Sequence, residues 1–258
     1  MKTLKYLVLL AAALLVGCNG SNSSSGSTSS STGNDPVTFL IQGTWNGSYS
    51  ISGGPANVAV TSVIAQSGYG FFYDSSGYVY VLPTLNGGPF MSGTLTAYAP
   101  AGTTFTNGQT TEQFTVTGTV SNMNISGSFT GNGETGSFTL TRYTPFSGTP
   151  SIVAGQWQGY YAGTNAAAVD ITMNANGSFS GSDANGCTIT GTLTQIQSSN
   201  LFQVSADSSG AGCAGQLSGL AFESSSDYFN LFGGAAGTYY YVGASNASDA
   251  FVAEFLAQ

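Results

Sequence analysis

The sequence predicts an all-β protein: two tandem antiparallel β-barrel-like modules of about eight strands each, after a signal peptide and a disordered tether. From Val37 onward, Thr, Val, Phe and Tyr alternate with small or polar residues, as in strands that bury one face. Gly, Asn, Asp and Ser interrupt the alternation at short intervals, which is typical of antiparallel hairpins. A nine-residue pattern occurs twice and indicates two copies of one module.

The repeated pattern is aliphatic-x-Gly-x-Trp-x-Gly-x-Tyr, and its two copies contain both tryptophans of the chain. It spans Ile41–Tyr49 and returns 112 residues later as Val153–Tyr161. Two prolines and a glycine in Thr144–Pro150 break the alternation between the copies. The modules are therefore predicted over residues 37–145 and 146–258.

Turn signals divide each module into strand-like segments. Those of the first module are Thr44–Ile51, Ala59–Ala65, Gly70–Tyr73, Tyr78–Leu82, Gly93–Tyr98, Gln113–Val120, Asn124–Phe129 and Ser137–Tyr143. Those of the second are Gln156–Ala162, Ala168–Met173, Ser178–Gly181, Cys187–Gln195, Leu201–Ala206, Gln216–Glu223, Tyr228–Phe232, Thr238–Val242 and a closing segment, Ala250–Leu256. Three Asp-x-x-Gly tetrads predict tight turns: Asp74–Gly77, Asp183–Gly186 and Asp207–Gly210. The alternative, that they bind calcium, is less favoured because the sequence has no Asp-x-Asp-x-Asp-Gly ladder.

The N-terminus has the features of a bacterial export signal in their usual order. Lys2 and Lys5 precede an eleven-residue apolar run, Tyr6–Val16, which is shorter than the roughly 20 residues that cross a membrane as a helix. The run leads into Leu-Val-Gly-Cys, which resembles the lipobox of bacterial lipoproteins. The resemblance implies a signal peptide over residues 1–17 and lipidation of Cys18. The alternative is an ordinary cleaved signal with an incidental cysteine.

A polar segment separates the signal from the first module. Residues 19–34 carry no charge and no hydrophobic side chain, so residues 18–36 are predicted to be the lipidated cysteine and a flexible Ser/Gly-rich tether. As a random coil, its sixteen uncharged residues span about 22 Å. Asn19 stands where a retention Asp would otherwise follow the cysteine, so the resemblance implies an outer-membrane protein, periplasmic or surface-exposed.

The composition excludes several classes of function. The chain has no His, and two of its three basic residues lie in the predicted signal. The mature chain therefore has eleven acidic residues and one basic residue, Arg142, which gives a formal charge of −10. Without His, no Ser-His-Asp triad, Cys-His pair or His-ligated metal site can form. One cation makes no basic surface for nucleic acid, and anionic polymers are repelled. We therefore expect no metal, no cofactor and no nucleic-acid partner.

Short, evenly spaced strands are compatible with a sandwich or an up-and-down barrel, and one motif favours the barrel. Gly43-Thr-Trp45 in the first strand resembles the opening of the calycins, the lipocalin- and avidin-like barrels. The resemblance implies that Trp45 closes one barrel end beneath a cation from the last strand, which Arg142 can supply; the alternative is a solvated Arg142. Trp157 is the equivalent residue of the second module, whose last segment has no cation. Both modules are shorter than typical lipocalins, so their own side chains can fill the barrels.

Cys187 and Cys213 are the two cysteines beside Cys18, and they are predicted to form a disulfide. Exported proteins fold in oxidising surroundings. The second module has no Lys, Arg or His that could activate a thiol. Closing a loop of about 26 residues stabilises a fold by roughly 3–4 kcal/mol.

The remaining candidates are aromatic and acidic side chains. Six tyrosines form a candidate binding face, with core packing as the alternative: Tyr69, Tyr73, Tyr78, Tyr80, Tyr239 and Tyr241. The acidic candidates for a catalytic pair are scattered along the chain: Glu112, Glu134, Asp170, Glu223 and Asp227. The sequence has no Gly-x-Ser-x-Gly elbow, Walker loop or Rossmann fingerprint, so we predict no enzyme.

These patterns together predict a non-enzymatic, lipid-anchored cell-envelope protein with a binding or structural role. Its partners would be the membrane, through Cys18, and a protein, a glycan or a small apolar ligand. One alternative is a carrier that holds a small apolar ligand in a lipocalin-like barrel, which requires a pocket of about 300 Å³ or more. Another is an adhesin or inhibitor that acts through its loop tips.

Overall fold

The computed structural model describes residues 41–86, 89–144, 150–196, 199–226, 232 and 234–258. This part of the chain contains seventeen β-strands and no α-helix, which confirms the all-β prediction. None of these residues belongs to a helix that is long and apolar enough to span a membrane. The chain divides after Pro36, and every strand belongs to the unit Val37–Gln258. The predicted signal, Cys18 and the tether lie outside the described residues.

The first module, barrel 1, is a closed antiparallel barrel of eight strands with one short extra strand. Its strands are β1 (Gly43–Ile51), β2 (Val58–Ile64), β3 (Gly70–Asp74), β4 (Val79–Leu82), β5 (Leu85–Asn86), β6 (Phe90–Tyr98), β7 (Thr111–Val120), β8 (Asn124–Gly131) and β9 (Glu134–Tyr143). Apart from β4 and β5, neighbours in sequence pair with each other, and the pairings β1–β9 and β4–β6 complete the ring. Because β4 also pairs with β6, the two-residue β5 lies beside the ring rather than in it.

The second module, barrel 2, is a closed antiparallel barrel of eight strands. They are β10 (Gly155–Gly163), β11 (Ala167–Met173), β12 (Ser178–Asp183), β13 (Thr188–Gln195), β14 (Leu201–Ser209), β15 (Gly215–Ser224), β16 (Tyr239–Ser245) and β17 (Ala250–Ala257). The ring closes between β10 and β17. The predicted segment Tyr228–Phe232 is not needed for closure: Phe232 lies in a turn, and residues 228–231 lie outside the described part.

Two of the three predicted Asp-x-x-Gly turns are confirmed. The Gly77 amide donates to the Asp74 carbonyl over 3.1 Å, and the Gly186 amide donates to the Asp183 carbonyl over 3.2 Å. Both glycines have a positive φ, of 92° and 87°. The third prediction is wrong because Asp207 lies inside β14, where it pairs with Thr190 and Gln216 on the neighbouring strands.

The glycines of the repeated motif have a steric role in both barrels. Gly43 and Gly155 each begin the first strand of their barrel with a φ of 145°, a conformation that side chains other than Gly rarely adopt. Gly47 lies so close to β9 that a Cβ atom would be 1.9 Å from the Thr139 carbonyl oxygen. At Gly159, a Cβ atom would be 2.7 Å from the Glu254 carbonyl oxygen. The motif therefore marks the strand pair that closes each ring.

The two barrels pack their outer walls against each other through one apolar cluster, the shared cluster. Its buried members come from β2, β3, β4 and β6 of barrel 1 and from β14 to β17 of barrel 2: Val63, Phe71, Val79, Val81, Tyr98, Leu201, Leu220, Phe222, Tyr239, Tyr241, Ala250 and Val252. Phe71 lies against Gly243, where a Cβ atom would be 2.5 Å from the ring. The Tyr69 hydroxyl also donates to the Ser218 carbonyl over 3.1 Å.

This packing corrects the predicted tyrosine face. Tyr239 and Tyr241 point away from the interior of barrel 2, as the alternation predicts, but they are 0% and 2% exposed because barrel 1 covers them. Tyr69 and Tyr73 are half-buried against the same cluster. The alternative of core packing therefore applies to these four residues.

Candidate binding cavities

Barrel 1 encloses an apolar cavity of about 320 Å³. Its wall is built from inward-facing side chains of the barrel strands, among them Val60, Leu95, Val116, Phe129 and Leu140. The cavity opens at the end of the barrel where β1 finishes, and its mouth includes the loop residues 104–106. The interior is thus not filled by its own side chains.

Cross-strand pairs of Phe with Gly explain why these small barrels have space inside. Phe138 pairs with Gly127 and Phe129 with Gly136 in barrel 1. A Cβ atom on Gly127 or Gly136 would lie 2.8 Å and 2.2 Å from the partner's ring, so each ring lies over the glycine of the next strand. Barrel 2 repeats this arrangement in the pairs Phe179–Gly191 and Phe255–Gly159. The rings cover the wall and leave the centre open.

Trp45 closes the end of barrel 1 opposite the mouth. The indole is fully buried, and its Nε1 donates to the Ile41 carbonyl over 3.0 Å. The Arg142 guanidinium lies 4.2 Å from the indole centroid and donates to the carbonyls of Asn122, over 2.8 Å, and Gln42, over 2.7 Å. Arg142 is half-buried, and burial lowers its pKa. The structure therefore places this cation over Trp45 rather than free in solvent.

A cluster of Tyr49, Tyr80 and Asp74 lies at the wall of this cavity. The two phenol groups line the cavity, while Asp74 lies behind them and is fully buried. The Tyr49 hydroxyl donates to Asp74 Oδ2 over 2.6 Å, and the Tyr80 hydroxyl donates to the same oxygen over 2.7 Å. Asp74 Oδ1 accepts from the amides of Ser76 and Tyr78 over 2.7 and 3.1 Å. One carboxylate thus fixes both a turn and two tyrosines.

Burial and Asp74 both hold these tyrosines in the protonated form. Desolvation is the largest cause that raises the pKa of Tyr49, followed by its hydrogen bond to Asp74. Desolvation also raises the pKa of Tyr80 well above its usual value, with the Asp74 charge as the next cause. At neutral pH, both hydroxyls therefore keep their protons.

Barrel 2 encloses a similar apolar cavity of about 290 Å³. Its wall includes Ile171, Val204, Ala206, Val242 and Phe255. The mouth again lies at the end where the first strand finishes, and it includes Asn165, Asn185 and residues 211–214. Both modules therefore share a barrel that is closed at one end and open at the other.

The predicted disulfide is confirmed, and it lies at the mouth of the second cavity. Cys187 and Cys213 are bonded, with their Cα atoms 5.9 Å apart, and both residues line the cavity. Cys187 lies in the turn between β12 and β13, and Cys213 lies in the loop between β14 and β15. The bond therefore joins two segments of the rim that are 26 residues apart in the chain.

Trp157 closes the other end of barrel 2 without a cation. Its Nε1 donates to the Val153 carbonyl over 3.0 Å, as Trp45 does to Ile41. The residue opposite Trp157 on the last strand is Ala257, where barrel 1 has Arg142. The ring of Tyr240 lies 4.6 Å from the indole, and its hydroxyl accepts from the Val153 amide over 3.1 Å. An aromatic ring thus covers this indole.

The tyrosine–aspartate contact is also repeated. The Tyr161 hydroxyl donates to Asp183 Oδ2 over 2.5 Å, and Asp183 Oδ1 accepts from the amides of Asn185 and Cys187 over 2.9 Å each. Desolvation, followed by the hydrogen bond to Asp183, raises the pKa of Tyr161 to about 12. Tyr161 ends the repeated motif as Tyr49 does, so both contacts occupy the same position in the fold.

The acidic candidates are distributed over several places. Glu112 accepts a hydrogen bond from Asn132, and burial raises its pKa. Glu134 lies at the mouth of cavity 1. Asp170 is exposed, and Glu223 is buried and accepts from the Ser151 amide over 3.0 Å. Asp227 lies outside the described residues, among which no group of three or more Asp, Glu, Cys or His could hold a metal.

Two of the six tyrosines that were predicted to form an outward binding face line cavity 1 instead. Tyr78 lines the mouth of cavity 1, with its ring 5.2 Å from that of Phe105, and Tyr80 belongs to the wall cluster. Tyr49 and Tyr161, which also line the cavities, were not among the predicted site residues, although their shared place at the end of the motif was a usable signal. Comparisons with family models, with curated proteins and with solved structures found no match.

Proposed function

We propose that this chain is a non-enzymatic binding protein of the bacterial cell envelope, in which each barrel holds one small apolar ligand. The observation that carries the proposal is the pair of apolar cavities, of about 320 and 290 Å³. These sizes are close to the lower limit of the roughly 300–1,000 Å³ that is typical of ligand sites. Burial of an apolar ligand against such walls is favourable because it removes apolar surface from water.

The closed ends support a calycin-like architecture for both barrels. An indole on the first strand, covered by Arg142 in barrel 1 and by Tyr240 in barrel 2, seals the end opposite each mouth. A fold alone does not assign a function, so the proposal of a carrier depends on the cavities and not on this likeness.

The N-terminal sequence supports a lipid anchor at Cys18 and an outer-membrane location. Several acyl chains on one cysteine would hold the barrels stably at the membrane, because each buried methylene contributes about 0.8 kcal/mol. Metabolic labelling with an acyl probe tests the anchor: we expect the wild-type chain to incorporate the probe and C18S to lose it. Equal labelling of the two chains would contradict the anchor and leave the cavity proposal in place.

The absence of catalytic activity is part of the proposal. It is supported by the structural roles of two buried acids, since Glu112 bonds Asn132 and Glu223 bonds the Ser151 amide. Both carboxylates orient neighbouring segments, which is a sufficient reason for their burial.

Filling each cavity separately tests ligand binding. Leu95→Trp adds an indole inside cavity 1, and Ala206→Trp does so inside cavity 2, since both residues line the walls. The full chain in lipid nanodiscs would be titrated with an uncharged fluorescent naphthylamine. The double variant L95W/A206W in identical nanodiscs measures uptake by the lipid. We expect two sites in the wild type and one in each single variant.

Two outward-facing substitutions provide matched controls. Thr94 and Ser205 are exposed neighbours of Leu95 and Ala206 on the same strands, so T94W and S205W add the same indole outside the barrels. We expect both controls to retain two sites, with far-ultraviolet circular dichroism confirming that all variants are folded. Binding by the wild type no greater than that by L95W/A206W would overturn the proposal.

A further inference from the structure

The pair of phenols in the wall of cavity 1, Tyr49 and Tyr80, can accept hydrogen bonds but has no proton left to donate. Each phenol has one proton, and both protons point to Asp74 Oδ2. The Tyr49 and Tyr80 oxygens lie 3.0 Å apart at the cavity wall. Their remaining hydrogen-bonding capacity is lone pairs, because Asp74 has used both protons. A ligand group that meets this pair of oxygens must therefore bring its own proton.

The charges around cavity 1 also favour a neutral hydrogen-bond donor over an anion. Asp74 is a buried acid behind the two phenols, and Glu134 lies at the mouth. Among the residues that the structure describes, no Lys or Arg lines either cavity, and Arg142 is at the closed end, over Trp45. A carboxylate that entered cavity 1 would lose its hydration, find no free donor at the tyrosines and be repelled by Asp74. Juxtaposition of like charges in a binding site is unfavourable, so it discriminates against the carboxylate.

We propose that cavity 1 is selective for an apolar molecule whose polar end is a hydrogen-bond donor, such as an alkyl alcohol, and that it rejects the corresponding carboxylate. The inference rests on the proposed function, since it names the ligand class of the same cavity. The alkyl chain packs between the aliphatic and aromatic walls. The terminal hydroxyl donates to the oxygens of Tyr49 and Tyr80. These tyrosines stay protonated at neutral pH because burial and Asp74 raise their pKa values.

The preference of cavity 1 for an alcohol over a carboxylate can be tested with two ligands that have alkyl chains of the same length. The full chain carrying A206W, which leaves cavity 1 as the open cavity, would be loaded in nanodiscs with the uncharged naphthylamine and titrated with 1-octanol or octanoate at pH 7. L95W/A206W again measures the lipid background. We expect octanol to displace the probe at a concentration at least about tenfold lower than octanoate, which corresponds to a difference of about 1.4 kcal/mol in binding free energy.

Removal of the buried charge of Asp74 should weaken the preference of cavity 1 for octanol over octanoate. In D74N the phenol protons are no longer held by a carboxylate and become available to an anion, so octanoate should gain about tenfold relative to octanol. D183N changes the matching aspartate of barrel 2 and should leave the preference of cavity 1 unchanged. If D74N does not fold, Y80F removes one accepting oxygen and should weaken octanol while octanoate stays the same.

The outcomes separate this inference from the proposed function. Displacement of the probe by octanoate at the same concentration as octanol, or a lower one, overturns the selectivity and leaves apolar binding intact. The same conclusion follows if D74N and D183N have equal effects on the octanol-to-octanoate ratio. Failure of the probe itself to bind above the L95W/A206W background refutes the proposed function.

Discussion

Barrels 1 and 2 share a framework but protect their two ends differently. Both have an indole at the closed end whose Nε1 donates to the carbonyl four residues earlier, and both have a tyrosine–aspartate contact near the mouth. In barrel 1 a cation covers the indole, whereas in barrel 2 a tyrosine does. Barrel 2 has a disulfide on its rim, and the sequence of barrel 1 contains no cysteine at all.

The difference shows which features the barrel requires and which can be exchanged. The motif glycines and the indole occur in both copies because strand closure and end sealing depend on their geometry. The group that covers the indole can be a cation or a ring, since both bind favourably to an aromatic face. The rim can be held by a covalent bond or by hydrogen bonds.

The largest expected effect is the loss of an indole. Trp45→Ala and Trp157→Ala should each destabilise the protein by about 3–5 kcal/mol, because a large, fully buried side chain leaves a cavity. Urea unfolding followed by circular dichroism measures the free energy of unfolding without relying on Trp fluorescence. Tyr160→Ala, at a side chain that is 46% exposed, is the control and should change stability little. A small effect of W157A beside a large effect of W45A would break the equivalence of the two closed ends.

The disulfide should give the next largest effect, and it should be confined to barrel 2. Replacement of Cys187 and Cys213 by Ser releases a loop of 26 residues, which costs about 3–4 kcal/mol on the chain-entropy model. Hydrogen exchange should become faster in β12 to β15 and remain slow in β7 to β9 of barrel 1. Addition of reductant should reproduce this pattern in the wild type and have no effect on the double-Ser variant. Equal acceleration in both barrels would show that the rim bond acts through the shared cluster instead.

The strands, the duplication and the disulfide could be predicted from the sequence because each depends on local or compositional information. Alternating side chains define strands, Trp45 and Trp157 mark the copies, and oxidising surroundings pair the remaining cysteines. The side of a strand that faces inward was also predictable. What covers the outer side was not, and for this reason Tyr239 and Tyr241 were assigned to an exposed face although barrel 1 covers them.

The cavities and their polar clusters could not be predicted because they depend on register around a closed ring. The Gly-Ser-Phe sequences at residues 127–129 and 136–138 are visible in the chain. That each Phe ring lies over the glycine of the other strand follows only from the β8–β9 pairing. Asp74 was interpreted as a turn residue, which is correct, but its second contact, with Tyr49, joins β1 and β3, which are both paired with β2 and not with each other.

Substitution of Arg142 tests whether the group that lies over the indole can be exchanged. Arg142→Met removes the cation and its hydrogen bonds to the Asn122 and Gln42 carbonyls, and we expect a loss of about 1–2 kcal/mol for a half-buried cation–π contact. Arg142→Lys keeps the charge but loses the planar stacking, so it should recover part of this loss. Tyr240→Leu removes the corresponding cover in barrel 2. A loss on R142M as large as that on W45A would mean that the cation, rather than the indole, seals barrel 1.

The smallest expected effect is a loss of stability at alkaline pH, through the tyrosine–aspartate contacts. Desolvation and the hydrogen bond to Asp183 raise the pKa of Tyr161 to about 12 in the folded protein, above the value of about 10 in an unfolded chain. A group whose pKa is raised by folding contributes its full stabilisation below pH 10 and loses it between pH 10 and 12. Solvent near this half-buried tyrosine keeps the effect modest. Urea unfolding at intervals from pH 8 to 11 should therefore show a shallower decline for Y161F than for the wild type. Barrel 1 has two such tyrosines, so Y49F/Y80F should make the decline of stability with pH shallower still. If both variants lose stability with pH as steeply as the wild type, folding does not raise the pKa of these tyrosines through the tyrosine–aspartate contacts.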